Sequence, residues 1–511
     1  MTNKTTLQTD VLVIGGGING AGVAADAALR GLSVTLCESN DLAWATSSAS
    51  SKLIHGGLRY LEQYEFKLVK KSLKEREVLI NKAPHLIHPL RFILPHAKHL
   101  RPKWMIRSGM FLYDFLAGRQ RSLPKSKKVD LRQSLEGEPL KPDWKVGFSY
   151  YDCRVDDARL VVANVQQAQQ QGAQIFVPYR CDAIEPASNE TWRAKLVHRD
   201  KPDQVKWVEA KAVVNAAGPW VAELLDRWQG AQTNASVRLV KGSHIVVPKL
   251  YEGDHAYILQ NSDGRIVFAL PYGFDGQGMN RYTAIGTTDI DYQADPVNVI
   301  IDDAEKHYLC DLISDYFNQP VTPDQIISDW SGVRPLYNDH QGNAAEITRD
   351  YHIDVVDDGT RRLGLSIFGG KLTTYRQLAQ QVVNQLAPYF PNIGPCKTAD
   401  TPLPGGQADS FESIITFLQQ QYPWLDSGHC YRLASAYGMA TPAVLQSATS
   451  YQDLGQDFGH HLYEAEVRYL VENEWCYDIN ALLWRRTKHG LLLTQVQQDA
   501  LQQWFSQHYR N

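Results

Sequence analysis

The chain has 511 residues, 43% hydrophobic and 21% charged, with a formal net charge of −4. That length can bury a large core and allows two or three domains, and the slightly acidic balance gives no reason to expect nucleic acid as the main partner. No uninterrupted apolar run approaches the roughly 20 residues that span a bilayer, and the polar opening MTNKTTLQTD is not the pattern of a signal peptide.

In chain order, residues 10–14 (DVLVI) predict a first strand. GGGING follows at once at 15–20, then a helical pattern through Ala24, Ala25, Ala27, Ala28 and Leu29, then a second strand over 33–37 ending on Glu38. This is GxGxxG between a strand and a helix, with an acidic residue 18 positions after the last glycine. In that arrangement Gly15 makes the tight turn, Gly17 lets a pyrophosphate approach the backbone, and Gly20 lets helix and strand pack closely. The helix N-terminus offers N–H groups and partial positive charge to the phosphates, and Glu38 can hold a ribose 2′-hydroxyl. A dinucleotide site is therefore expected. The motif fits NAD or FAD; its position at the start of a long chain favours FAD.

The stretch TSSASSKLIHGGLRYLE comes next, over 46–62, and leads into a helical pattern from about 57 to 82. From 98 to 128, nine Lys/Arg face a single acidic residue, Asp114, and are interleaved with Trp104, Met105, Phe111, Tyr113 and Phe115. A basic segment with aromatics can lie on an anionic bilayer without crossing it. A helix is expected over 156–171 and a strand over 174–177. Residues 211–220 (KAVVNAAGPW) read as a strand ending in small residues, Gly218 among them, where backbone can lie against a cofactor. Short alternating runs from 237 to 289 predict an antiparallel sheet. Residues 363–374 (LGLSIFGGKLTT) read as a strand, a glycine pair and a helix start, so Gly370, Lys371, Leu372 and Thr373 are expected at the cofactor. TPLPGG at 401–406 is a linker signal, and helical patterns follow it. The expected organisation is a nucleotide-binding region over 1–390 interleaved with a β-rich substrate part at about 237–330, a linker at 391–406 and a helical unit at 407–511. The seven cysteines are scattered, without CxxC spacing, which argues against a disulfide framework or a zinc site.

With VIGGGINGAG, TSSASSKLIHGGLRYLE, DARLV, VNAAGPW, KGSHIVVP, SGVRPL, ITRDY and FGGKLTTYR assembled, the chain resembles the FAD-dependent glycerol-3-phosphate dehydrogenases of aerobic bacteria. The resemblance implies the fold of the glycine oxidase and D-amino-acid oxidase group, an α/β Rossmann-type FAD domain with an antiparallel-sheet substrate domain and a C-terminal helical domain. It also implies non-covalently bound FAD, oxidation of sn-glycerol 3-phosphate to dihydroxyacetone phosphate, and electrons passed to ubiquinone or menaquinone. The place implied is the cytoplasmic face of the inner membrane, without a transmembrane helix, and a homodimer is suggested.

Under this reading Ser47, Ser48, Ser51 and Lys52 line the FAD pyrophosphate and ribose region, and Gly56 and Gly57 lie against the flavin ring. A buried phosphate dianion needs several cationic or N–H partners. The candidates are Arg59, Arg334, Arg349 and Lys371, with Tyr60 and Thr374 as neutral donors, and the resemblance assigns Arg334, Arg349 and Lys371 to the substrate side. Loss of the substrate hydroxyl proton calls for a base that titrates near neutrality. His55 ranks slightly ahead of His244, and an arginine such as Arg334 could instead stabilise the developing alkoxide. The rival readings are an oxidase of the same fold that uses oxygen, an oxidase of 2-hydroxy or amino acids, a flavin-dependent RNA-modifying factor and a non-catalytic flavoprotein. The surplus of cations disfavours the carboxylate-binding oxidases, and the confined basic segment disfavours the RNA reading.

Overall fold

The computed structural model describes residues 6–61, 64–97, 102–118, 121–231, 233, 235–261, 264–274, 280–338, 350–356 and 362–509. Two large sheets organise the chain. The first runs in the order Tyr351–Val356, Leu363–Gly369, Val205–Asn215, Leu7–Ile14, Val34–Cys37, Gln174–Phe176. Its four inner pairings are parallel, and Tyr351–Val356 adds an antiparallel edge. Buried on both faces, its central strands are runs of Val, Leu and Ile, as parallel strands require. The helices Ile18–Leu29, Asp157–Gln170 and Tyr375–Leu386 pack on it around one core. The first of them is INGAGVAADAAL, and its small residues permit a close approach: a Cβ on Gly22 would sit 2.8 Å from the Tyr375 ring. Asp156 caps the second helix, accepting the Arg159 N–H at 3.1 Å.

The second sheet runs Ile290–Asp291, Val237–Pro248, Asn280–Gly286, Ile266–Phe274, Ala256–Gln260, Ile87–His96, Val146–Val155, Leu53–Ile54. Ser328–Tyr337 pairs antiparallel with Val237–Pro248 along ten residue pairs. The alternation expected over 237–289 is thus an antiparallel set of strands. The sheet extends beyond the expected 237–330, because Ile87–His96 and Val146–Val155, which had no assigned strand, complete it.

The single helix expected from 57 to 82 is interrupted. A 3-10 turn covers Leu58–Leu61, and the α-helix begins at Phe66 and ends at Lys82. Gly57 at φ 77° and Tyr64 at φ 59° place left-handed backbone on either side of the turn, where an α-helix cannot continue. Residues 401–406 are held rather than loose: Leu403 is buried, its N–H donates to the Lys82 carbonyl at 2.9 Å, and a Cβ on Gly405 would lie 2.3 Å from the Tyr437 carbonyl oxygen. Beyond them, helices including Phe411–Gln421, Ser427–Tyr437, Glu464–Glu474 and Gln495–His508 enclose a core of their own.

Candidate functional site

A cavity of about 1620 Å³ opens between the two sheets, at the C-terminal ends of Leu7–Ile14, Val34–Cys37 and Val205–Asn215. Single-ligand pockets usually hold about 300–1,000 Å³, so this one has room for a dinucleotide and a small second molecule. The glycines act where the motif places them. Gly15 has φ 116°, and a Cβ there would lie 2.4 Å from the Ala216 carbonyl oxygen; a Cβ on Gly20 would lie 2.0 Å from the Gly15 carbonyl oxygen. Gly17 faces the cavity, and an added Cβ there would lie 3.1 Å from the Ser47 hydroxyl. That hydroxyl accepts the Ile18 N–H at 2.9 Å and so ties the 39–52 loop to the helix start.

Glu38 lines the cavity and accepts the Gly16 N–H at 2.6 Å and the Asn40 N–H at 2.8 Å. Burial pushes its carboxyl up, the two N–H bonds hold it down, and the net position is above the ordinary value. Ser51, Gly57, Gly218, Gly370, Leu372 and Thr373 also line the cavity. Asn19 is a wall residue the motif reading passed over: its amide donates to the Gly369 carbonyl at 3.1 Å, and among the described residues its buried Oδ1 meets no donor. A polar residue on the first turn of a phosphate-binding helix was the available signal. Glycine cradle, helix start, carboxylate and orphaned acceptor together fit a dinucleotide cofactor.

Three cofactor candidates, Ser48, Lys52 and Gly56, lie off this wall. Lys52 turns to the buried Asp157, with Nζ at 2.9 and 3.0 Å from its two oxygens and 2.9 Å from the Ser48 carbonyl. Burial alone would lower its pKa, but the Asp157 charge and hydrogen bond, together with nearby Tyr272 and Asp156, outweigh this and raise it. Ser48 faces a smaller neighbouring cavity beside Lys52. Gly56 serves packing, since a Cβ would lie 2.5 Å from the Tyr113 hydroxyl and 2.6 Å from Leu73. Its N–H donates to that hydroxyl at 3.0 Å, and Tyr113 in turn donates to Asp152, which Arg76 holds at 2.7 Å.

On the substrate side the cavity brings together His55, Tyr60, Arg334 and Lys371. The Arg334 guanidinium pairs with Asp289 and donates to the Thr287 hydroxyl at 2.9 Å. Gly242 makes room for it, because a Cβ there would come within 2.4 Å of Nη2. The Lys371 amine lies 3.6 Å from the centre of the Tyr60 ring. His55 is partly exposed on the wall, its N–H donating to the Thr373 hydroxyl at 3.2 Å. His244 sits one layer behind, buried and stacked on Trp330, with Nε2 2.9 Å from the Ser51 hydroxyl. Burial, reinforced by the charges of Arg334 and Lys52, holds its imidazole well below the usual range, so it is neutral. Thr374 is buried off the wall. Arg349 and the Arg59 side chain lie outside the described residues. Trp44 and Trp220, stacked with ring centres 5.7 Å apart, line both cavities and had no role in the sequence reading.

The family model described as FAD dependent oxidoreductase matches residues 10–376, and the model described as the C-terminal domain of alpha-glycerophosphate oxidase matches 396–506. The glycerol-3-phosphate dehydrogenase of Pseudomonas aeruginosa is 49% identical over 496 residues, covering 97% of this chain and 94% of that protein. The D-erythritol 1-phosphate dehydrogenase of Brucella abortus is 44% identical over 499 residues, covering 97% of each. Among solved structures, the glycerol-3-phosphate dehydrogenase of Bacillus halodurans complexed with FAD superposes with a TM-score of 0.77 at 28% identity, covering 98% of this chain and 91% of that one. The cradle of Gly15, Gly17, Gly20 and Glu38 thus coincides with a match spanning most of the chain, and the protein belongs to the FAD-dependent oxidoreductase family.

Proposed function

We propose that this enzyme oxidises sn-glycerol 3-phosphate to dihydroxyacetone phosphate and delivers the electrons to a membrane quinone, ubiquinone or menaquinone. The observation that carries the reading is the convergence of Arg334, Lys371 and Tyr60 on the wall of the same cavity whose other end holds the glycine cradle. FAD, when bound, supplies the two-electron acceptor for the substrate's secondary carbon. Gly15, Gly17 and the 39–52 loop would hold its phosphates and Glu38 its ribose, and Gly57 and Gly370 would line the end that receives its ring. Arg334 and Lys371 neutralise the substrate phosphate or the oxygen that loses its proton, and arginine's fork suits either. Two imidazoles stand near that oxygen's place: His55 on the wall, and His244, held neutral, through the Ser51 hydroxyl. With a base beside a fixed cation, the hydroxyl proton leaves as the carbon is oxidised.

Membrane attachment through the basic aromatic segment belongs to the same proposal. Helix Lys103–Leu116 buries Met110 and Tyr113 and presents Trp104, Phe111 and Phe115 outward, 68%, 71% and 71% exposed. These three lie seven and four residues apart, on one helix face, with Lys103 and Arg107 on the same helix. Among the described residues no helix is long and apolar enough to cross a membrane. The face therefore suits a bilayer surface, on the cytoplasmic side of the inner membrane, where a lipid-dissolved acceptor is within reach.

The near identity of coverage with an erythritol-phosphate dehydrogenase makes a longer polyol phosphate the second reading of substrate. Anaerobic mixing of the holoenzyme with each compound separates them. Rapid bleaching of the oxidised-flavin band by glycerol 3-phosphate, with erythritol 1-phosphate and unphosphorylated glycerol much slower, supports the proposal; the reverse order sinks it. Reoxidation of the bleached enzyme by a quinone analogue and not by oxygen separates dehydrogenase from oxidase.

A further inference from the structure

The 39–52 loop supplies much of the cofactor wall, including Ser39, Asn40, Ala43, Ser47, Ser50 and Ser51. It has little regular structure, and its backbone is left-handed at Ala43 (φ 61°) and at Lys52 (φ 55°), a conformation disfavoured for residues with a Cβ. Something outside the loop must hold it.

Near its start, the buried carboxylate of Asp41 accepts from Arg486 Nη2 at 2.7 Å, Arg486 Nη1 at 3.0 Å and Arg485 Nε at 2.6 Å. Arg486 is fully buried, and its Nη2 also donates to the Glu474 carbonyl at 3.0 Å, so it is seated within the C-terminal helices. At the loop's far end, Lys488 Nζ donates to both oxygens of Asp156 at 2.6 Å. The adjacent Asp157 binds the Ser50 N–H at 3.3 Å, the Ser50 hydroxyl at 2.7 Å and the Lys52 amine at 2.9 Å. Three residues of the 485–488 run thus reach both ends of the loop: Arg485 and Arg486 directly at Asp41, two residues before left-handed Ala43, and Lys488 through Asp156, whose neighbour Asp157 holds Ser50 and left-handed Lys52.

We propose that the C-terminal helical unit is a clamp on the cofactor site: Arg485, Arg486 and Lys488 are positioning residues that keep the 39–52 loop in the shape that receives FAD. The unit supplies no wall of the main cavity among the described residues; it acts through Asp41 and Asp156. This rests on the cavity being the FAD site.

The test is the full-length Arg485→Met/Lys488→Met double variant, which spares the buried Arg486. FAD affinity is measured by titrating the apoprotein and following free-flavin fluorescence. Hydrogen exchange of peptides from 39–52 and from 411–508 is measured in the same apoprotein. The clamp predicts an FAD Kd raised about 30-fold, the order expected for losing charge-assisted bonds at both ends of the loop, with faster exchange in 39–52 and unchanged exchange in 411–508. Arg485→Lys retains a donor for Asp41 and restores most of the affinity. Asp41→Asn combined with Arg485→Met is less than additive on Kd. A Kd within threefold of the parent overturns the proposal. If exchange in 39–52 rises while Kd stays put, the 485–488 run fixes the loop but the loop's shape does not set FAD affinity, and the proposal fails. If exchange rises throughout 411–508 instead, the residues only stabilise the helical unit, and the proposal also fails.

Discussion

Glu38→Gln is nearly isosteric, yet the geometry predicts two separable losses. The carboxylate accepts two backbone N–H groups, from Gly16 at 2.6 Å and Asn40 at 2.8 Å, on different oxygens. An amide has one acceptor oxygen, so in either orientation its NH2 faces one of those N–H groups. A buried donor left without a partner costs about 1–3 kcal/mol. That cost falls on the apoprotein and the holoprotein alike, so it appears as lost stability, lowering the apoprotein's melting temperature by a few degrees. Binding loses something different. A hydrogen bond to a charged group is worth about 1.5–3 kcal/mol and one to a neutral group about 0.5–1.5 kcal/mol. The ribose hydroxyl therefore loses about 1–1.5 kcal/mol, or roughly tenfold in FAD Kd. Calorimetric melting of the apoprotein and fluorescence titration with FAD, both at the same pH, read the two effects apart. A lower melting temperature with Kd unchanged within twofold refutes the ribose contact. No change in either refutes the paired N–H geometry itself.

Arg334→Lys replaces a fork by a point charge and removes at least one charge-assisted bond to substrate; kcat/KM for glycerol 3-phosphate is expected to fall about ten- to a hundredfold at unchanged FAD content in steady-state assays. Gly242→Ala drives a methyl to within 2.4 Å of the same guanidinium and should lower kcat/KM in the same direction. Burial, helped by the nearby Arg376 charge, holds the Lys82 amine down to about 7. From pH 7 up to the unfolded value of about 10.4 the unfolded chain therefore binds the extra proton, and stability rises with pH by up to about 1.4 kcal/mol per unit; below 7 both states are protonated and this slope vanishes. Lys82→Met should remove that slope in urea titrations between pH 7.5 and 9.5, and parallel curves for the two proteins would contradict the buried-amine reading. Phe111→Glu/Phe115→Glu places two carboxylates on the outward face of Lys103–Leu116; binding to anionic vesicles in a flotation assay should drop severalfold while soluble-acceptor activity persists, and unchanged flotation argues that the bilayer contact lies elsewhere.

What the sequence reveals and what it hides divide along the distance to the deciding partner. Gly20 and Glu38 were legible because their demands are local: each meets another residue of the same strand, turn and helix unit, Gly20 the Gly15 carbonyl and Glu38 the Gly16 N–H. The antiparallel strands over 237–289 announced themselves by alternation, but Ile87–His96 and Val146–Val155 did not, since a strand in the middle of a sheet shows no clean alternation to separate it from a buried helix. Lys52 and Gly56 stand in a glycine-rich, basic stretch that reads as cofactor-facing. Their actual partners, Asp157 and Tyr113, stand 105 and 57 residues further along, and no pattern in the stretch itself points to them. The clearest case is Asp41, beside the glycine motif, bound to Arg486 across 445 residues of chain. A residue type and its spacing can nominate a cofactor loop, but the force that fixes the loop's shape is a long-range buried ion pair, and only the folded chain shows it. For the same reason the C-terminal helices, which have no chemistry of their own to read, carry functional weight: they hold the counter-charges that a loop with two left-handed residues needs in order to keep its shape before the cofactor arrives.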